Sequence, residues 1–352
     1  MTLPASGVIS LGDIQTEFGG VNPIGINEYY NSGSYVGAWN TDVPTSGVIS
    51  VSNFYNGTAV EQMIPRGVFG GGNPTSNVMD YITIPTTGNA TDFGDLTAAR
   101  YGLAGASSGF RGVFGGGNTY PLASYSDVMD YIAIGTTGNA VDFGDLTVAR
   151  LGLGGISNAT RGVFGGGYFN GGVNTIDYIT IATTGNAVDF GDLPATHYYN
   201  TGLSNATRGV FGGGYNPNSN AMDYITVATA GNAVDFGDLT ESRGYMGGIS
   251  NATRGVFGGG FSTLSAAFDI MDYITIATTG NATDFGDLTA ATSTLAAVSD
   301  ATRGVFGGGQ ISATDTNVMQ YITVATTGNA TDFGDLTVAR SYLAGVSGTI
   351  PT

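Results

Sequence analysis

The stretch RGVFGGGNPTSNVMDYITIPTTGNATDFGDLT, Arg66 to Thr97, decides the fold, because the chain keeps returning to it. RGVFGGG recurs at Arg111, Arg161, Arg208, Arg254 and Arg303, at spacings of 45, 50, 47, 46 and 49 residues. That period is the length of a four-stranded propeller blade. In each copy the glycine-rich opening and the DFGDL ending are nearly fixed, while the residues after the glycines change.

One unit reads as four strands. RGVFGG (Arg66 to Gly71) places Val68 and Phe69 on opposite faces, both apolar, as expected where both faces of a sheet are covered. MDYITI (Met79 to Ile84) is rich in β-branched and aromatic residues and reads as the next strand. TTGNA supplies turn chemistry before TDFGDL (Thr91 to Leu96), a third, shorter strand. YGLAGASS (Tyr101 to Ser108) is a strand of small residues, suited to a crowded position near a central axis. No window sustains a 3.6-residue period, so almost no helix is expected.

Composition narrows the function. The 352 residues carry 27 acids against ten basic residues, all arginine, for a net charge of −17. Such a chain repels phosphate backbones and anionic lipid surfaces, so neither nucleic acid nor membrane insertion is expected. No apolar run approaches the roughly 20 residues of a membrane helix, and the first residues show no secretion-signal pattern. Sixty glycines in a fixed order among apolar residues are not a flexible linker. Every arginine falls at a repeat position: six open RGVFGGG, and Arg100, Arg150, Arg243 and Arg340 follow DFGDLT. Placement by register argues for architecture, with the repeated aspartates (Asp80, Asp92 and Asp95 in the first copy) capping turns or pairing with these arginines.

The order of glycines, the Tyr after a short gap and the large aromatic before Leu resemble the kelch repeat. Phe93, Phe143, Phe190, Phe236, Phe285 and Phe333 stand where kelch repeats carry tryptophan. The resemblance covers about residues 60 to 348 and implies an all-β, six-bladed kelch-like β-propeller over residues 61–352. For function it implies little, because such propellers serve enzymes, adaptors and adhesins alike. Its first copy lacks the small-residue strand, whereas the last runs on into SYLAGVSG (Ser341 to Gly348). The C-terminal strand is therefore expected to complete the first blade and close the ring.

Connections in such a blade alternate between two faces. The SNAT and TTGNA turns lie on one; the segments after GGG lie on the other and range from 7 to 12 residues. Loops on a rigid scaffold are where binding resides. The candidate ligand-binding residues on this rim are Tyr120, Tyr125, Tyr168, Phe169, His197, Tyr198, Tyr215 and Phe261. Tyrosines among Asn, Ser and Thr recognise surfaces at low entropic cost, and flat aromatic faces suit sugar rings.

No enzymatic activity is expected. Kelch-type galactose oxidases hold copper with histidines and a cysteine-modified tyrosine, and this chain has one His and no Cys. A carboxylate repeated in register is not a catalytic pair, which needs one location. No metal or cofactor is expected, with calcium at the repeated Asp/Asn turns left open. The Asn-Ala-Thr triplets match a glycosylation sequon but read as turns.

The first 60 residues differ in kind. LPASGVISLGDIQTEFGG (Leu3 to Gly20) is echoed by VPTSGVISVSNFYNGT (Val43 to Thr58), giving two SGVIS half-repeats. This pattern resembles the N-terminal segments of tailed-bacteriophage fibre and other virion-surface proteins. The resemblance implies an attachment module over residues 1–60 bound to other virion proteins, a distal domain that contacts a host-surface glycan or protein, and location on the phage particle. Homo-oligomerisation is compatible with it. The alternative is a soluble kelch-like adaptor or lectin-like binding protein outside any particle.

Overall fold

The computed structural model describes residues 64–350, apart from 120–123, 216 and 264–265. Residues 1–60, the expected attachment module, lie outside the described residues, as does Tyr120. The chain divides by its contacts into one unit of residues 65–350 and another of 1–64 with 351–352. The larger unit is a six-bladed β-propeller, each blade a four-stranded antiparallel sheet, with no helix among the described residues.

The fourth blade shows the pattern, from the axis outward: Thr201–Ser204, Arg208–Gly214, Ser219–Thr226 and Val234–Asp238. The inner strands of successive blades touch in a closed circuit around the axis. The first blade takes its inner strand, Ala344–Ile350, from the C-terminus and the other three, Ile64–Gly70, Val78–Thr83 and Thr91–Asp95, from the first repeat. This is the closure read from the sequence. It removes the open edge that an incomplete ring would leave.

Small residues sit where the inner strands converge. A Cβ on Gly105 would collide with the Gly345 carbonyl oxygen, and one on Gly155 with that of Gly105. Outward from the axis, Val and Phe of each RGVFG strand are almost fully buried, and the phenylalanines that replace tryptophan are about 2% exposed. A bulge serves each of those phenylalanines. In the second blade Met129 faces Gly144 and Asp130 faces Asp142, leaving Phe143 outside the ladder. The extra residue turns its ring into the core, edge-on to Tyr131 at 6.0 Å.

Repeat arginines and turns tie blade to blade. The guanidinium of Arg66 lies 4.2 Å over the Tyr81 ring and donates to the Ile134 carbonyl of the next blade. Arg111, Arg161, Arg208, Arg254 and Arg303 repeat this, and Arg303 reaches back to Ile84 of the first blade. Each TTGNA-type turn clasps the preceding blade: Gly138 N donates to the Phe93 carbonyl, and Asn139 accepts from Asp95 N at 3.0 Å. The Asn of SNAT caps its own hairpin, accepting from Thr160 N and Arg161 N. These segments are constant because every copy bonds to a neighbour.

Candidate functional site

The variable face is organised by a ring. Backbone N–H groups of Gly102, Gly152, Tyr199, Tyr245, Thr294 and Tyr342, one from each connection into an inner strand, each donate to the carbonyl of the preceding member. The six hydrogen bonds span 2.5–2.9 Å and close on themselves around the axis. All six residues have positive φ, from 55° to 69°. Glycine takes this region freely, but Tyr199, Tyr245, Thr294 and Tyr342 are held there against a steric penalty. Such strain persists where surrounding structure enforces it, and it concentrates at functional positions.

The residue before each ring member forms an isolated bridge with the first residue after the glycines. Tyr101 pairs with Asn118, Leu151 with Tyr168, Tyr198 with Tyr215, Gly244 with Phe261, Ser293 with Gln310, and Ser341 with Asn73. Each variable loop is thereby pinned to the axis, which is why Tyr215 and Phe261 at this position meet Tyr245 of the ring. From the rim inward, Phe169 lies 5.4 Å from Tyr125, Tyr125 lies 5.9 Å from Tyr168, and Tyr168 lies 5.0 Å from Tyr198. Tyr198 meets Tyr199 and Tyr215; Tyr199 stacks on Tyr245 at 4.1 Å and 24°. Phe261 joins through Tyr215 and Tyr245, and Tyr342 through Tyr199 and Tyr245, with Tyr101 beyond it.

The candidates Tyr125, Tyr168, Phe169, Tyr198, Tyr215 and Phe261 thus stand in one continuous aromatic array. Phe169 is 42% exposed, whereas Tyr198 is 9% exposed and serves as a support beneath its neighbours. Burial raises the phenol pKa values of Tyr199, Tyr245 and Tyr342 well above the ordinary range, so all three remain neutral hydrogen-bonding groups. The array is lopsided. Blades two to five supply its loop aromatics, and the sixth and first blades present Gln310 and Asn73 at the matching bridge position.

Sequence reasoning missed Tyr101, Tyr199, Tyr245 and Tyr342, which join the loop aromatics across the axis. Their signal was a column of the repeat. Gly102, Gly152, Tyr199, Tyr245, Thr294 and Tyr342 align, and glycine in two copies marks a position that needs positive φ.

His197 lies elsewhere. It is 8% exposed, beneath the rim, in the slot that Arg100, Arg150, Arg243 and Arg340 occupy at the other blades. Those four arginines pair with Asp130, Asp177, Asp272 and Asp80 on the MDYIT-type strands, third from the axis in each blade, the last three at 2.8–2.9 Å. Burial lowers each guanidinium pKa, and the facing carboxylate opposes the shift in every case. Near His197 the equivalent carboxylate, Asp223, has no such partner. Burial, with Asp235 nearby, pushes it up to about 6, and burial alone lowers the His197 pKa.

Along the axis below the array runs a channel of about 180 Å³, lined by the inner strands. Leu103, Leu153, Asn200, Met246, Leu295 and Leu343 line the end nearest the array, and Ser107, Ser157, Ser204, Ser250, Ser299 and Ser347 the other. Among the described residues no three of His, Cys, Asp or Glu gather in a group that could hold a metal ion. Comparison with protein-family models and with curated proteins gave no match for this chain.

Proposed function

We propose that this chain is a virion-surface protein of a tailed bacteriophage, a tail fibre, appendage or decoration, that binds through the aromatic face of its kelch-like propeller. The observation that carries the reading is the division of labour between the faces. The constant turns are committed to structure, TTGNA to the preceding blade and SNAT to its own hairpin, while the opposite face diversifies its loops and gathers aromatic residues over the axis. A propeller that only had to be stable would not need three tyrosines held at positive φ.

The array suits a host-surface glycan or protein. Half-buried tyrosines and the exposed Phe169, flanked by Asn, Ser and Thr, offer stacking and hydrogen bonds without charge, and a net charge of −17 disfavours a polyanionic partner. Its lopsidedness favours a ligand lying over blades two to five. The N-terminal residues, with their SGVIS half-repeats, serve as the attachment to other virion proteins. The protein catalyses nothing in this reading. The same face would serve a soluble kelch-like adaptor or lectin, and the N-terminal residues separate the two readings. Purified full-length chain should incorporate into particles lacking it, and a version without residues 1–60 should not. Equal incorporation of both, or of neither, would remove the virion reading and leave the binding face standing.

A further inference from the structure

The fourth blade departs from the others at one buried point, a carboxylate stripped of its donors. In the first, second, third and fifth blades the third-strand aspartate receives a threonine hydroxyl and an arginine guanidinium from the connection leading into that blade. In the third and fifth the threonine N–H donates as well, at 3.2 Å. The sixth blade loses the arginine to Thr292 and the charge together, since Gln320 replaces the aspartate and accepts from Thr289 N and Oγ1. The fourth blade loses all three donors and keeps the charge. Pro194 replaces the threonine, removing both hydroxyl and N–H, and His197 replaces the arginine. Asp223 receives no hydrogen bond and no ion pair among the described residues, although it is 6% exposed. A carboxylate left this way is costly unless it is protonated or paired.

His197 stands beside it, in the position that arginine takes in four other blades. Gly167 packs against Cγ and Cδ of Arg150, at 3.3 and 3.1 Å from its Cβ position, whereas Gly214 packs against Cβ and Nδ1 of His197 at 3.1 and 3.2 Å. The imidazole therefore stands at the level of the arginine stem, and its Nδ1 is buried without a partner. Asp223 is 6% exposed, whereas its four counterparts are fully buried. Elsewhere the guanidinium also donates to carbonyls, as Arg340 does to Phe69 and Val78 at 3.2 and 3.1 Å. The matching carbonyls here belong to Phe211 and Ala221, since Phe211 pairs with Asp223 as Phe69 pairs with Asp80.

We propose that the fourth blade binds the guanidinium of an arginine side chain carried by a partner protein, completing from outside the pair that four blades make within the chain. A planar fork of five donors matches one carboxylate flanked by backbone carbonyls better than a compact ammonium does. The residues that follow His197 and Gly214 are Tyr198 and Tyr215, bridged to each other with rings 5.7 Å apart, and aromatic faces favour a guanidinium.

The test is thermal melting of the full chain at neutral pH and constant ionic strength, with acetyl-arginine-amide or acetyl-lysine-amide added at millimolar concentrations. The arginine compound should raise Tm saturably, with at least tenfold weaker response to the lysine compound. Pro194→Thr with His197→Arg restores all three donors within the chain; it should melt higher unliganded and no longer respond. Asp223→Asn should also lose the response, and if that variant fails to fold the double variant carries the comparison. An absent rise, an equal response to lysine, or an undiminished response in either folded variant would overturn the proposal.

Discussion

At the scale of single residues, the buried arginine–aspartate pairs show how charge was built into an apolar wall. Arg150 and Asp177 are both fully buried, and neither is tolerable without the other. The sixth blade records the neutral solution, Thr292 with Gln320. Arg150→Thr alone should destabilise the protein by about 3–5 kcal/mol, because it strands a buried carboxylate. Adding Asp177→Gln should recover most of that loss, and urea unfolding of the two variants checks both values. The sequence made part of this visible: repeated acids and arginines in register point to each other. It did not say which acid. Asp80 and its counterparts pair while Asp92, directly across the ladder from Asp80, is exposed, a distinction fixed by Asp92 lying on the outermost strand of the blade. The six RGVFGGG arginines were legible as architecture, but their stacking over Tyr81 and its counterparts was not, because strand register brings together residues that stand 15 to 20 apart.

At the scale of elements, strand identity was readable because β-branched, aromatic and turn residues alternate so regularly in MDYITI and TTGNA. Boundaries shifted by a few residues where hydrogen bonding stopped short of the pattern. The small-residue strand is Ala104–Ser107, not Tyr101–Ser108, because Tyr101 and Gly102 are drawn into the bridge and the axial ring. The bulge at DFGD was hidden, since nothing in the composition of the strand announces an unpaired phenylalanine. Its glycine is the sensitive point. Gly144 has φ 135°, and a Cβ there would lie 2.6 Å from the carbonyl of Gly185 in the next blade. Gly144→Ala should therefore lower stability by more than about 1 kcal/mol, where the same change at a compatible position raises it by about 0.4–1 kcal/mol, and the Tm of the variant measures it. A melting point equal to wild type would mean the turn of the next blade yields without cost.

At the scale of the molecule, six units and one displaced strand make a closed ring. Deleting residues 341–352 removes the inner strand of the first blade, the Ser341–Asn73 bridge and the Tyr342 link of the axial ring. The truncated chain should melt well below the full one, and an unchanged Tm would contradict closure. Ring closure and the variable rim were legible because repeats can be compared column by column. The aromatic array was only half legible, since its loop members show as variation while its axial members look like exceptions within the frame. The account stands or falls on that array being the binding surface. The most direct measurement is adsorption of labelled full-length protein to a panel of bacterial cells, using the strain that retains wild type. Tyr125→Ser, Tyr168→Ser and Tyr215→Ser combined should keep the fold and Tm nearly intact but weaken adsorption about 100-fold or more, at roughly 1 kcal/mol or more for each ring. If that variant adsorbs as wild type does, while folded variants of the opposite turns at Asn89 and Asn186 lose adsorption, the binding face is the other one.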